Sequence, residues 1–185
     1  MNNIVDTHFL AVEQALKMLS KKDIHNFITN LVQFFQSDKS LYIAGNGGSQ
    51  SIAEHISTDW TKGIYSGTNR KIRIHSLNSV NATTTAIAND IGYEVSLSFN
   101  FGILSRVGDA LFLISSSGKS PNIIHAAEIA KKNGNLVFAF SGFAESELYR
   151  LADFAITVDS SDYQVIEDIH AILGHAIFKV LLDVL

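Results

Sequence analysis

Hydrophobic residues fall along this chain in two rhythms. Short, nearly unbroken apolar runs occupy residues 41–44, 72–77, 110–114, 136–140 and 154–158. They are rich in Ile, Leu, Val and Phe, as strands buried on both faces require. The segments between them carry apolar residues at helical spacing. This alternation predicts an α/β architecture: a parallel sheet sandwiched by helices, with right-handed crossovers and any ligand at the carboxyl ends of the strands.

Two helices are expected before the first strand, near residues 4–19 and 23–35. In the first, Val5, Phe9, Val12, Leu16 and Leu19 share one face. A last helix, near 164–185, is unusually apolar for a terminus, with Ile172, Leu173, Ile177, Phe178, Val180, Leu181 and Leu182. These segments are expected to form a helical layer that serves in part as an oligomer interface. No internal repeat or proline-rich linker divides the chain, so one domain spanning 1–185 is expected, with helices over 1–37 and the sheet core and last helix over 38–185.

Two polar loops each follow an apolar run and open a helical segment: Gly45-Asn46-Gly47-Gly48-Ser49 and Ser115-Ser116-Ser117-Gly118-Lys119-Ser120. Backbone N–H groups left free at a helix N-terminus attract anions, and the serine hydroxyls add donors of little bulk. The pair therefore reads as a phosphate cradle. A nucleotide fits poorly: Leu113 stands where a Walker A loop needs glycine, and Gln50 where a dinucleotide fingerprint does. Lys119 can strengthen phosphate binding or stand as a solvated surface lysine.

Composition narrows the classes. The 185 residues, 46% hydrophobic with one proline, suit a folded domain with its own core. A net charge of −4 without a basic cluster argues against nucleic-acid or membrane-surface binding. The absence of cysteine removes thiolate ligands and nucleophiles, so any metal must be held by nitrogen and oxygen. The first residues lack a signal-peptide pattern and no run reaches membrane-spanning length; a cytoplasmic location is expected.

Candidate chemistry lies on two helical segments. His55 and Asp59, four residues apart, share a helix face, where they can bind one divalent metal or act as an oriented acid/base pair. The last helix carries Glu167, Asp168, His170 and His175. Glu167 and His175 lie two turns apart and about 80° around the axis, Asp168 fits the face of His175 slightly better, and spacing alone does not choose between the acids. His170 and His175 read equally well as hydrogen-bonded histidines within a helical bundle. His75, Trp60, Phe99 and Phe101 are expected in structural roles, the aromatics in core or interface space, and Asp162 as a helix cap.

Taken together, Gly-Asn-Gly-Gly-Ser, His55 and Asp59, Ala88-Asn89-Asp90, Ser-Ser-Ser-Gly-Lys-Ser and the terminal Glu-Asp-x-His-x4-His resemble the sugar isomerase (SIS) domain family, and within it the phosphoheptose isomerase branch. The resemblance covers nearly the whole chain. It implies a five-stranded parallel sheet of Rossmann or flavodoxin type, a homotetramer with active sites at subunit boundaries, and one zinc ion per subunit. It also implies conversion of D-sedoheptulose 7-phosphate to D-glycero-D-manno-heptose 7-phosphate through an enediol, in the making of surface-polysaccharide precursors. On the matching positions, Asn46, Gly47, Gly48, Ser49, Asn89 and Asp90 would contact substrate, and Ser115, Ser116, Ser117 and Ser120 would hold the phosphate. His55, Asp59, Glu167 and His175 would take the metal, with Asp59 and His175 catalytic and Glu167 also facing substrate.

Two positions depart from the best-known members of that branch, which carry glutamate at Asp59 and glutamine at Glu167. Two carboxylates and two neutral imidazoles would bring a Zn²⁺ site to formal neutrality and weaken its Lewis acidity. Two other functions share this fold and stay open from the sequence: isomerisation of a different phosphosugar, and a non-enzymatic phosphosugar-binding or replication-initiator-tethering role.

Overall fold

The computed structural model describes residues 2–185. Helices α1 (Asn2–Met18) and α2 (Lys21–Phe35) precede β1 (Ser40–Gly45), α3 (Gly47–Thr68) and β2 (Arg73–Ser76). Then come α4 (Asn81–Asp90), a short 3₁₀ turn (Tyr93–Val95), α5 (Ser96–Leu104), β3 (Ala110–Ser115), α6 (Pro121–Lys132), β4 (Leu136–Gly142), α7 (Glu147–Leu151), β5 (Phe154–Val158) and α8 (Tyr163–Val184). All five strands are parallel, in the order β2-β1-β3-β4-β5. The expected sheet is present, and each apolar run carries its strand. The edge strand β2 is the shortest, and it exposes Arg73 and His75, which discourages pairing with another sheet edge.

Alternate residues of the buried strands serve two cores. Leu41, Ile43, Ala110, Phe112, Ile114, Phe138, Phe140, Ile156 and Val158 meet α2, α3 and α8 on one face. Tyr42, Ala44, Leu111, Leu113, Val137 and Ala139 meet α5, α6 and α7 on the other. Phe27 of α2 lies among Phe112, Phe138 and Phe140, with ring centroids 5.2–5.5 Å away. Burying each such ring contributes roughly 1.5–3 kcal/mol.

The apolar excess of α8 is largely used inside the chain: Val165, Ile166, Ile169, Leu173, Ile177 and Leu181 are buried. Helix α1 instead leaves Ile4, Val5, Phe9 and Leu10 exposed. Trp60 and Phe101 fill core space as expected, whereas Phe99 is 44% exposed. Asp162 caps α8 by accepting from the backbone N–H groups of Gln164 and Val165.

Helices α3 and α8 approach unusually closely. A Cβ on Gly174 would stand 2.8 Å from Ile56, and one on Gly63 would stand 2.4 Å from the Phe178 ring. Trp60 Nε1 donates to the Gly174 carbonyl at 3.1 Å and fixes the register. Gly174→Val should push the helices apart at their point of contact. A loss of about 1–3 kcal/mol is expected from overpacking, measured by urea unfolding, and unchanged stability would contradict this close-contact account.

His170, on the buried side of α8, is stacked on Phe140 at 5.5 Å, and neither ring nitrogen reaches a side-chain or backbone partner within hydrogen-bond distance. Burial drives its pKa down from 6.5 to about 3, opposed by the nearby Ser141 backbone. The unfolded chain therefore binds the extra proton first, so this contribution to stability is complete above pH 6.5 and is lost as pH falls toward 3. Between pH 6.5 and 5 the loss should be roughly 2 kcal/mol. His170→Leu should flatten that limb of the stability curve, and an unchanged slope would contradict the assignment.

Candidate active site

Strand β1 has β2 on one side and β3 on the other, so the chain leaves the sheet in opposite directions after β1 and β3. A crevice opens at such a switch point. The two polar loops meet there around a cavity of ≈ 220 Å³ walled by Asn46, Ser49, Ile114, Ser115, Ser116, Ser117, Ser120, Tyr163 and Glu167. Ser49 and Ser116 hydroxyls lie 3.4 Å apart across it, as do those of Ser117 and Ser120 along one loop.

Two of the helices that start at this cavity, α3 and α6, lack a side-chain cap. Ser20, Ser146 and Asp162 cap α2, α7 and α8 with their side chains, each accepting a backbone N–H. Asn46 and Ser120 occupy the same position on α3 and α6 and are of equally good capping types, yet neither side chain makes the capping bond. The α6 N-terminus thus faces the crevice without a side-chain cap, while at α3 the Glu167 carboxylate lies against Gly48 in the first turn.

About two and three turns along α3, His55 and Asp59 project toward His175 of α8. The two Nε2 atoms are 2.8 Å apart, and Asp59 Oδ2 lies 3.2 Å from His55 Nε2 and 3.8 Å from His175 Nε2. The contact of Ile56 with Gly174 produces this meeting, because each histidine is the chain neighbour of a contact residue. Two imidazole nitrogens and a carboxylate oxygen, all within 4.8 Å of one another, form a donor set that suits a divalent metal and leaves outer positions open to a ligand. His55 and His175 are about half exposed, so such a position would be reachable.

The acid left undecided by spacing divides between two places. Asp168 turns away to His8 of α1, at 2.8 Å. Glu167 faces the serine cavity, where Ser116 Oγ donates to its Oε1 at 3.4 Å, and stands apart from the three metal-type donors. Its carboxylate fits against Gly48, where a Cβ would come within 2.3 Å of Oε2. Gly47 shapes the turn with a left-handed φ of +53°. Asn89 and Asp90 sit exposed at the end of α4, bonded to each other at 2.8 Å. Lys119 is exposed over the neighbouring cleft with Phe143, Glu145, Glu147 and Arg150.

Three residues at or behind this site escaped the sequence reading. Tyr163 walls the cavity from the first turn of α8. Tyr93 donates its hydroxyl to Asn46 Oδ1 at 2.8 Å. Asn122, buried in the first turn of α6, pairs with Asn46 through two carboxamide hydrogen bonds of 2.8 and 2.9 Å. Spacing carried no signal for Tyr93; the position of Asn122 two residues after Ser120 was the one available hint.

Comparison with known proteins agrees with this architecture. The SIS domain model matches residues 8–142. The chain is 30% identical over 187 residues to a phosphoheptose isomerase of Aneurinibacillus thermoaerophilus, covering 96% of this chain and 91% of that one. It is 38% identical over 152 residues to a phosphoheptose isomerase of Leptospira biflexa, covering 82% and 78% respectively. Among solved structures, a phosphoheptose isomerase from Francisella tularensis superposes with a TM-score of 0.88 at 22% identity, over 98% of this chain and 96% of that one. One from Neisseria gonorrhoeae gives 0.86 at 24%, over 97% and 95%. With the sheet order, the motifs and these matches in accord, the chain belongs to the SIS domain family, in its phosphoheptose isomerase branch.

Proposed function

We propose that this protein is an aldose–ketose isomerase that converts D-sedoheptulose 7-phosphate to D-glycero-D-manno-heptose 7-phosphate. The observation that carries the reading is a serine-lined cavity at the start of α3 and a His55–Asp59–His175 cluster further along it, where α3 meets α8. Ser49 and His55 are six residues apart on α3, or about 9 Å along its axis, which leaves room for a sugar backbone between the held phosphate and the reacting carbons.

Ser115, Ser116, Ser117 and Ser120 would hold the phosphate together with the open ends of α3 and α6. Asn46, Gly47, Gly48, Ser49 and Glu167 would meet the sugar, with Asn89 and Asp90 closing from α4. The Asp59 carboxylate would move the proton between C1 and C2, and His175 would donate to the ring or carbonyl oxygen, giving a cis-enediol intermediate. His55, Asp59 and His175 would hold a divalent ion, which we assign as zinc, one per subunit; when bound it supplies electrophilic stabilisation of vicinal oxygens. Glu167, which resemblance also assigns to the metal, lies beside Ser116 in this conformation.

We place the enzyme in the cytoplasm as a homotetramer, supplying heptose for surface polysaccharide. The exposed apolar face of α1 supports assembly. Among the described residues, no helix is long and apolar enough to cross a membrane.

Purified protein should turn over sedoheptulose 7-phosphate, lose activity in EDTA and regain it with zinc. His175→Ala should lower kcat by about 10²–10⁴-fold. A folded protein that binds inorganic phosphate but forms no heptose 7-phosphate would instead favour a phosphosugar-binding role.

The Glu167 carboxylate stands where an anion is expected to bind. Glu167→Gln should therefore lower KM for the phosphosugar roughly fivefold, equivalent to about 1 kcal/mol, with the gain largest at low ionic strength. An unchanged or raised KM would mean that Glu167 accepts hydrogen bonds from the sugar and that this contribution outweighs its repulsion of phosphate.

A further inference from the structure

The side chain of Asn46 is spoken for on both of its polar atoms. Its Oδ1 accepts from Tyr93 Oη at 2.8 Å and from Asn122 Nδ2 at 2.9 Å, and its Nδ2 donates to Asn122 Oδ1 at 2.8 Å. Asn46 lines the cavity, whereas Asn122 is 2% exposed and lies behind it. The reciprocal amide pair joins the loop after β1 to the first turn of α6, bridging the two halves of the switch-point crevice.

We propose that Asn122 is a positioning residue, which orients the Asn46 carboxamide toward substrate and, with Tyr93, fixes what that carboxamide can recognise. An amide oxygen has two lone pairs, and both are committed here. One amide N–H is also committed, so the remaining N–H is what Asn46 offers. The substrate group beside it must then be an acceptor, such as a hydroxyl, carbonyl or phosphate oxygen. The pairing also explains why Asn46 does not cap α3: its oxygen is drawn across to α6, and the helix N-terminus is left without a side-chain cap. Tyr93 extends the device, because the turn that carries it follows the Asn89–Asp90 end of α4. Withdrawal of that segment would release one of the two donors to Asn46.

The inference rests on the phosphosugar reading for its substrate, and the test is a double-mutant cycle. Asn122→Ala should raise KM for sedoheptulose 7-phosphate about tenfold with kcat within about twofold, and the same substitution in an Asn46→Ala background should change KM by less than about twofold. Tyr93→Phe should raise KM by about two- to threefold in the wild-type background and leave the Asn46→Ala variant unchanged. Because Asn122 is buried, Asn122→Ser, which keeps a residue favoured at a helix start, is measured in parallel. Additive effects, or an unaltered KM in the single variants, would overturn the proposal. If the wild-type protein lacks turnover, the isomerase reading fails by itself, and the same cycle is read on affinity for inorganic phosphate. Coupling there sustains the positioning role; additivity removes it.

Discussion

Gly174 has no side chain, and Ile56 occupies the space that one would fill. That contact sets how near α3 and α8 can lie, and the distance between His55 and His175 follows from it. A larger residue at either point would separate two imidazoles that must meet for a shared proton or metal to be held. The Trp60 bond to the Gly174 carbonyl adds a directional constraint to a contact that packing alone would leave free to slide. The spacing of the two histidines is thus set by helix packing at the residues next to them in the chain.

Sheet order supplies the second constraint. With β1 flanked by β2 and β3, the loops after β1 and β3 diverge, and their small residues line the gap. Helix α3 connects the two functional regions, since its N-terminus walls the anion cavity and its next turns carry His55 and Asp59. One helix therefore fixes the distance between the serine-lined cavity and the His55–Asp59–His175 cluster.

The strands and the first and last helices were legible because burial on two faces leaves nearly unbroken apolar runs, and burial on one leaves a helical stripe. The serine loop and the His55/Asp59 pair were legible for a similar reason: local spacing determines which side chains share a turn. What joined distant segments was not. Glu167 and Asp168 are chain neighbours of similar chemistry, and their separation into a cavity group and a partner of His8 depends on the rotation of α8 against α1 and α3. Asn122 and Tyr93 are ordinary polar residues whose partner lies 76 and 47 positions away. Phe99 stands outside the core because α5 turns Leu97 and Phe101 inward.

Among the described residues, the walls of the anion cavity include neither lysine nor arginine. Hydroxyls and the open ends of two helices act over a few ångströms, unlike a cationic group whose field extends about a Debye length into solvent. The chain as a whole carries a formal charge of −4. Lys119 stands between wall residues Ser117 and Ser120 but lines the neighbouring cleft, so what the walls themselves supply is short-range fit. Walls of this kind discriminate by shape and hydrogen-bond geometry, whereas a pocket built on strong positive charge would collect other anions as readily as its substrate.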